Sequence, residues 1–337
     1  MTASSNNRIL GIKNRYLVLV LLIGWAVAYN IMPPVLVHIQ LPPEELTHPV
    51  QLPILGKFAF TNTMAAMLLA DLILLVLAFA FSRAARAALA AGGRAISGVS
   101  GALEALMEAL YGLTETNAGR WTREIFPWFA TIMLVVLVNN WLELIPGVDS
   151  IGILHADEHG YPVQELAFGT TLVAGDAHHA AGGLFGLVPF VRVNSTDLNF
   201  TVALALIAVV MVQVFGIRAL GVGYFKKFWN TSTLFTKPMF GVIDFGVGLL
   251  ELVSEFSKIL SFSFRLFGNV FAGSVLLFVI GFLVPSFAQT IFLMLEFGVG
   301  LIQAVVFGML TMVFMSQAVV SHHGDEHADP EGAAAQH

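Results

Sequence analysis

"LLELVSEFSKILSFSFRLFGNVFAGSVLLFVI", residues 249–280, decides the fold. Leu, Val, Ile, Phe and small residues dominate it, and at 1.5 Å per helical residue it exceeds the ~30 Å hydrocarbon core of a bilayer. Yet Glu251, Glu255, Lys258 and Arg265 interrupt it. The interruptions are periodic. Asp244, Glu251, Lys258 and Arg265 recur every seven residues, and Glu255 and Asn269 follow Glu251 and Arg265 by four. At ~100° per residue all six fall within about 80° of arc on one helix face. The segment is therefore a membrane helix with a polar track along one side.

The rest of the chain agrees with a membrane setting. Of its 337 residues 57% are apolar and only 11% are charged, outside the range of soluble domains. No stretch shows the ten-residue polar/apolar alternation of a membrane barrel, so the expected fold is an all-α polytopic helical bundle. The absence of cysteine excludes disulfides, thiolate metal sites and cysteine nucleophiles. A formal charge of -6 argues against a nucleic-acid partner. No Gly-rich phosphate loop ending in Lys-Ser or Lys-Thr is present, so direct nucleotide binding is not expected, and no cofactor is implied.

Apolar segments lie at about 16–32, 61–82, 125–146, 198–220, 240–284 and 288–320, which predicts six membrane segments. The last two exceed an upright span and must tilt, break or project. Arg8, Lys13 and Arg15 precede the first segment. Arg83, Arg86, Arg94, Arg120 and Arg123 lie between the second and third, and Arg218, Lys226, Lys227 and Lys237 between the fourth and fifth. Placing these on the cytoplasmic side puts both termini there. The first segment has two readings, an uncleaved anchor or a signal peptide with an A-x-A site at Ala26-Val27-Ala28. With either reading the chain that follows starts outside, and cleavage would change only the placement of the N-terminus.

The connections are also legible in outline. Between the second and third segments, Leu103, Leu106, Met107 and Leu110 share one helix face while Glu104, Glu108 and Glu115 share the other. This predicts a helix on the cytoplasmic surface or one packed on a partner. The long external stretch at 148–196 reads as a solvated loop. Its His155, His159, His178 and His179 match no zinc framework, so no metal site is expected. The organisation expected is an N-terminal segment and external linker at 1–58, a membrane domain at 59–320, and a disordered polar tail at 321–337.

Arg265 carries the sharpest functional implication. It has no carboxylate one turn away on its own helix, and a cation in hydrocarbon requires a partner or an aqueous path. The candidate within this chain is Glu296 in the sixth segment, where Gln303, seven residues on, projects from nearly the same face. Glu251 and Glu255 can each reach Lys258 along the helix.

Four stretches resemble a known family. They are the one quoted above, "FGVGLIQAVVFGMLTMVFMSQA" (297–318), "VNNWLELIPG" (138–147) and "STDLNFTVALAL" (195–206). Together they resemble subunit a of the bacterial rotary F-type ATP synthase, the stator that faces the c-ring, across most of residues 60–320. The resemblance implies that Arg265 is the essential stator arginine and that Asn269 and Gln303 surround it. It implies that Glu251 and Ser254 belong to the cytoplasmic half-channel, with Lys258 beside them, and that Glu296 belongs to the outer one. Asp244 extends the track toward the cytoplasmic end. Ser274 is a departure, because many members carry Glu there and His at the position of Glu296. The implied partners are the c-ring, the peripheral-stalk subunit b and the lipid bilayer of a bacterial cell membrane. A secondary transporter or an ion channel with an intramembrane charged pathway is the alternative.

Overall fold

The computed structural model describes residues 42–53, 56–90, 98–145, 148–166, 169–172, 183–228, 238–283 and 287–320, with isolated positions between 8 and 27. Most of the first apolar segment and the whole 321–337 tail lie outside the described residues, so the readings placed on them, anchor, signal peptide and disordered tail, do too. The described chain is mostly helical. Among the described residues five helical stretches are long and apolar enough to cross a membrane: Asn62–Ala90, Val99–Leu142, Leu198–Phe225, Phe245–Leu283 and Ala288–Ala318.

We number the helices α1 (Asn62–Ala90), α2 (Val99–Ala118), α3 (Thr122–Leu142), α4 (Leu198–Leu220), α5 (Pro238–Leu283) and α6 (Phe287–Ala318). Their ends follow local chemistry. Asp197 caps α4 by accepting the Asn199 backbone N–H at 2.9 Å, satisfying one of the orphan donors of the first turn. Gly221, at φ 62°, ends the same helix and donates its N–H to the Ile217 carbonyl. Pro238 opens α5, where its missing N–H costs nothing. From there α5 runs unbroken for 46 residues, about 69 Å at 1.5 Å each. Of the three options open to so long an apolar segment, breakage is removed. Tilting and projection remain.

The chain divides into two compact units. The larger comprises residues 66–142, 193–270 and 299–337. Its core joins Ile125, Phe129 and Met133 of α3 to Phe215 of α4, Leu266 of α5 and Phe307 of α6. In lipid the hydrophobic effect gives helices little reason to associate, so close fit has to hold them together. Gly308 supplies it: a Cβ there would meet the Met133 Cβ at 2.9 Å and the Phe129 ring at 3.0 Å. The amphipathic segment after α1 is indeed a helix, α2. Leu110, Thr114 and Ala118 are buried while Glu104, Glu108 and Glu115 are exposed. Its apolar face joins this core, so the chain itself supplies a packing surface for it.

The smaller unit comprises residues 1–65, 143–192 and 271–298. Here the stretch at 148–196, expected to be a solvated loop, contains strands among its described residues. After the hairpin formed by β1 (Val50–Leu52) and β2 (Gly56–Phe58), the stretch after α3 contains β3 (Gly152–Tyr161), β4 (Val163–Leu166), β5 (Gly169–Leu172) and β6 (Phe185–Pro189). β4 and β5 form a hairpin, and β3 pairs antiparallel with β6, Gly152 opposite Pro189 and His155 opposite Gly186. Backbone pairing satisfies amides that a loop would leave to water. His155 and His159 lie on β3, whereas His178 and His179 are outside the described residues. Asn62 locks the entry to α1: its side chain donates to Glu44 at 3.1 Å and accepts the Glu44 N–H at 3.2 Å, and its carbonyl accepts the Arg192 N–H at 3.4 Å.

Candidate functional site

α5 contributes residues to both units, its polar track at 244–269 lies in the larger one, and each unit holds its own group of polar side chains. In the larger unit, Arg265 is partly exposed and its Nη2 lies 3.5 Å from the Ser261 hydroxyl, one turn earlier. Among the described residues no carboxylate pairs with it. One turn beyond, Asn269 donates from Nδ2 to Oε1 of the buried Gln303 at 2.7 Å, joining α5 to α6. The structure thus brings Asn269 and Gln303 together. The Gln303 Nε2 has no acceptor among the described residues.

Toward the start of α5, Glu255 is 6% exposed and accepts two bonds, from Lys258 Nζ at 2.8 Å and from Gln213 Nε2 at 3.0 Å. Gln213 accepts in turn from the Tyr224 hydroxyl at 2.8 Å, and Lys258 Nζ lies 4.7 Å from the centre of the Phe314 ring. Of the two acids able to reach Lys258 by sequence spacing, Glu255 takes it. Its negative charge neutralises the ammonium, which leaves Arg265 as the track cation that no carboxylate pairs with among the described residues. Glu251 is half-buried and Ser254 exposed on the same stretch of helix. Asp244 lies on α5, with its side chain outside those described.

In the smaller unit, Ser274 donates its hydroxyl to Glu143 Oε1. Glu296, 9% exposed, lies against Gly273, where an added Cβ would fall on its carboxylate. The absent side chain therefore makes room for the acid. Two carboxylates and a hydroxyl thus border consecutive positions of α5. From the sequence Glu296 stands out as an intramembrane acid and Ser274 departs from the family pattern, whereas Glu143 has no assigned role there. The signal was available, since Glu143 is an acid at the end of an apolar span, just before Pro146.

Another buried polar cluster belongs to the larger unit. Ser195 donates to Asn140 Oδ1 at 3.0 Å, and Asn140 donates to the Gly300 carbonyl at 3.3 Å. Asn139 Oδ1 and both amide atoms of Asn194 are buried with no partner among the described residues. Buried amides of this kind are normally satisfied by ordered water.

Carboxylates, amides and hydroxyls along a membrane helix, with an arginine in the middle, are what an ion path needs. A sequence model of the family described as ATP synthase A chain matches residues 64–316. The chain belongs to that family. It is similar to ATP synthase subunit a of Mycobacterium marinum, 29% identical over 79% of this chain and 89% of that protein. Subunit a of Desulfotalea psychrophila is 34% identical over 55% of this chain and 72% of that protein. Membership in the ATP synthase A chain family accounts for the polytopic helical fold and disfavours the transporter and channel alternatives. Every site residue named above, from Asn139 to Gln303, falls within the matched range.

Proposed function

We propose that the chain is the proton-translocating stator subunit of the Fo sector, with Arg265 as the barrier between two half-channels. The observation that carries this is Arg265 itself, a membrane-helix cation that no carboxylate of the described chain neutralises. Such a charge calls for a counter-ion from outside. A rotor carboxylate passing along α5 supplies one.

Glu296, Glu143 and Ser274 form the outer path, from which a proton neutralises the rotor carboxylate. The neutral acid travels round the ring through lipid. Meeting Arg265, it is favoured in its ionised form, and the proton leaves past Glu251 and Ser254, with Asp244 at the far end. A guanidinium keeps its proton at any physiological pH, so Arg265 pairs with the carboxylate without relaying the proton directly between the paths. The Asn269–Gln303 bond fixes α5 against α6 next to the arginine, and Glu255 keeps the Lys258 charge from competing for the rotor acid.

In this reading the c-ring and the peripheral-stalk subunit b are partners. The basic clusters around Arg83–Arg123 and Arg218–Lys237 face the cytoplasm of a bacterial cell, and ATP chemistry belongs to other subunits. The chain contains no cysteine, so a single Asn269→Cys in the assembled complex gives an unambiguous crosslinking probe. It is expected to crosslink to a cysteine placed beside the rotor carboxylate. Failure from Asn269 and from neighbouring positions on the same face would show that the track does not face the ring.

A further inference from the structure

A cavity of about 320 Å³ opens in the larger unit where α2 ends and α3 begins, beside the last turns of α4 and α6. None of its lining residues belongs to the polar track. Arg120 and Trp121 form one wall, on a single tight turn, Gly119–Trp121. Gly119 makes the turn possible at φ 51° and ψ -120°, backbone in which a side chain is strained. The Arg120 guanidinium lies 5.9 Å from the centre of the Trp121 ring. The opposite wall is apolar, with Leu220, Val319 and Val320.

Two donors of the first wall are unanswered. The Trp121 indole N–H is buried with no acceptor among the described residues, and an indole can only donate. Arg120 is exposed and makes no ion pair among the described residues. Asn117, also in the lining, is engaged elsewhere: its amide donates to the Leu113 carbonyl at 2.8 Å, and its own carbonyl accepts the Ser316 hydroxyl. No carboxylate lines the cavity among the described residues, and Glu124 lies 3.7 Å from Arg218. An occupant has to bring acceptor oxygens, and beside a guanidinium those of an anion bind best. The C-terminal ends of α2, α4 and α6 carry partial negative charge here. Without the arginine they would repel such an occupant.

We propose that this cavity binds the phosphate of an anionic phospholipid, with Arg120 and the Trp121 N–H on the phosphate oxygens and the acyl chains leaving past Leu220 and Val320. Depth and lining select a lipid. Tryptophan and arginine side by side at the end of an apolar helix mark the water–lipid boundary, where basic pockets between membrane helices take anionic headgroups. The chain continues beyond Val320 with Asp325, Glu326, Asp329 and Glu331, which are the competing anions. Residues 321–337 contain no Val, Leu, Ile, Met or Phe to cover the apolar wall, whereas a phospholipid brings hydrocarbon with its phosphate. The argument needs only that α3, α4 and α6 cross the membrane, and it does not depend on the two half-channels.

The test uses the whole complex in bilayers containing phosphatidylglycerol with a diazirine close to its glycerol, or phosphatidylcholine with the same group, irradiated and mapped by peptide mass spectrometry. Each variant complex is first shown to keep its ring and its unfolding midpoint. The expected adducts fall on residues 117–121 and 316–320, severalfold more from phosphatidylglycerol. Arg120→Gln should lower their yield about tenfold, the scale of one hydrogen bond to a charged group. Arg120→Lys, which keeps the charge and loses the planar fork, should fall between. Trp121→Phe, which removes only the N–H donor, should lower the yield severalfold. Converting Asp325, Glu326, Asp329 and Glu331 together to their amides should leave it unchanged. Equal labelling by the two lipids, or a yield indifferent to Arg120→Gln or to Trp121→Phe, would overturn the proposal. So would loss of labelling to millimolar inorganic phosphate, which would make the site one for the free ion, or a severalfold rise on neutralising the four acids, which would make the chain's own tail the occupant.

Discussion

At the scale of single residues, the charges along α5 differ in whether the chain has already answered them. Lys258 and Glu255 are 19% and 8% exposed at their side chains and lie 2.8 Å apart. For such a pair, removing one partner strands the other, whereas removing both is often close to neutral. Glu255→Gln is therefore expected to destabilise the complex by about 3–5 kcal/mol, read as a fall in its thermal unfolding midpoint. Adding Lys258→Met should recover most of the loss. A double variant no better than the single one would mean that Glu255 acts through Gln213 and not through the lysine. Arg265 is the contrasting case, met among the described residues by a hydroxyl at 3.5 Å and by no carboxylate. In the proposed function its counter-charge arrives and departs with the rotor.

Elements set how closely these residues are held. α5 has small residues where a neighbour must come near, and Gly273 is the clearest instance, since a methyl group there would overlap the Glu296 carboxylate. The atoms displaced are the far end of a flexible side chain, so the cost to stability is small. The cost to the acid's position is not. Gly273→Ala is expected to leave the unfolding midpoint within about 1 °C, a shift worth less than about 1 kcal/mol in a chain of this size, while ATP-driven proton pumping into vesicles slows severalfold. Full pumping in that variant would mean that the placement of Glu296 does not limit proton uptake. The short connections are less forgiving: Gly216 admits the Tyr224 ring, which a Cβ would overlap, and that ring carries the hydroxyl completing the Glu255–Gln213 chain.

At the scale of the whole molecule, the helical segments and the polar track were legible in the sequence because both are local. Apolar runs and a seven-residue recurrence need only one helix to be read. The strands at 152–189 were not legible, since β3 finds its partner about thirty residues away and its His, Asp and Gly content hides a period of two. For the same reason Glu143 went unassigned until α5 brought Ser274 to it, 131 residues along the chain. The Lys258–Glu255 pair lies in between: spacing allowed two acids, and Gln213 from α4 holds the one that pairs. The central claim concerns Arg265, and the most direct measurement is ATP-driven proton pumping by complexes with Arg265→Ala or Arg265→Lys in sealed vesicles, alongside hydrolysis by the detached soluble sector. The account predicts that pumping is abolished in the alanine variant and nearly so in the lysine variant, with hydrolysis unchanged. Coupled pumping at the unmodified rate in Arg265→Ala would contradict it.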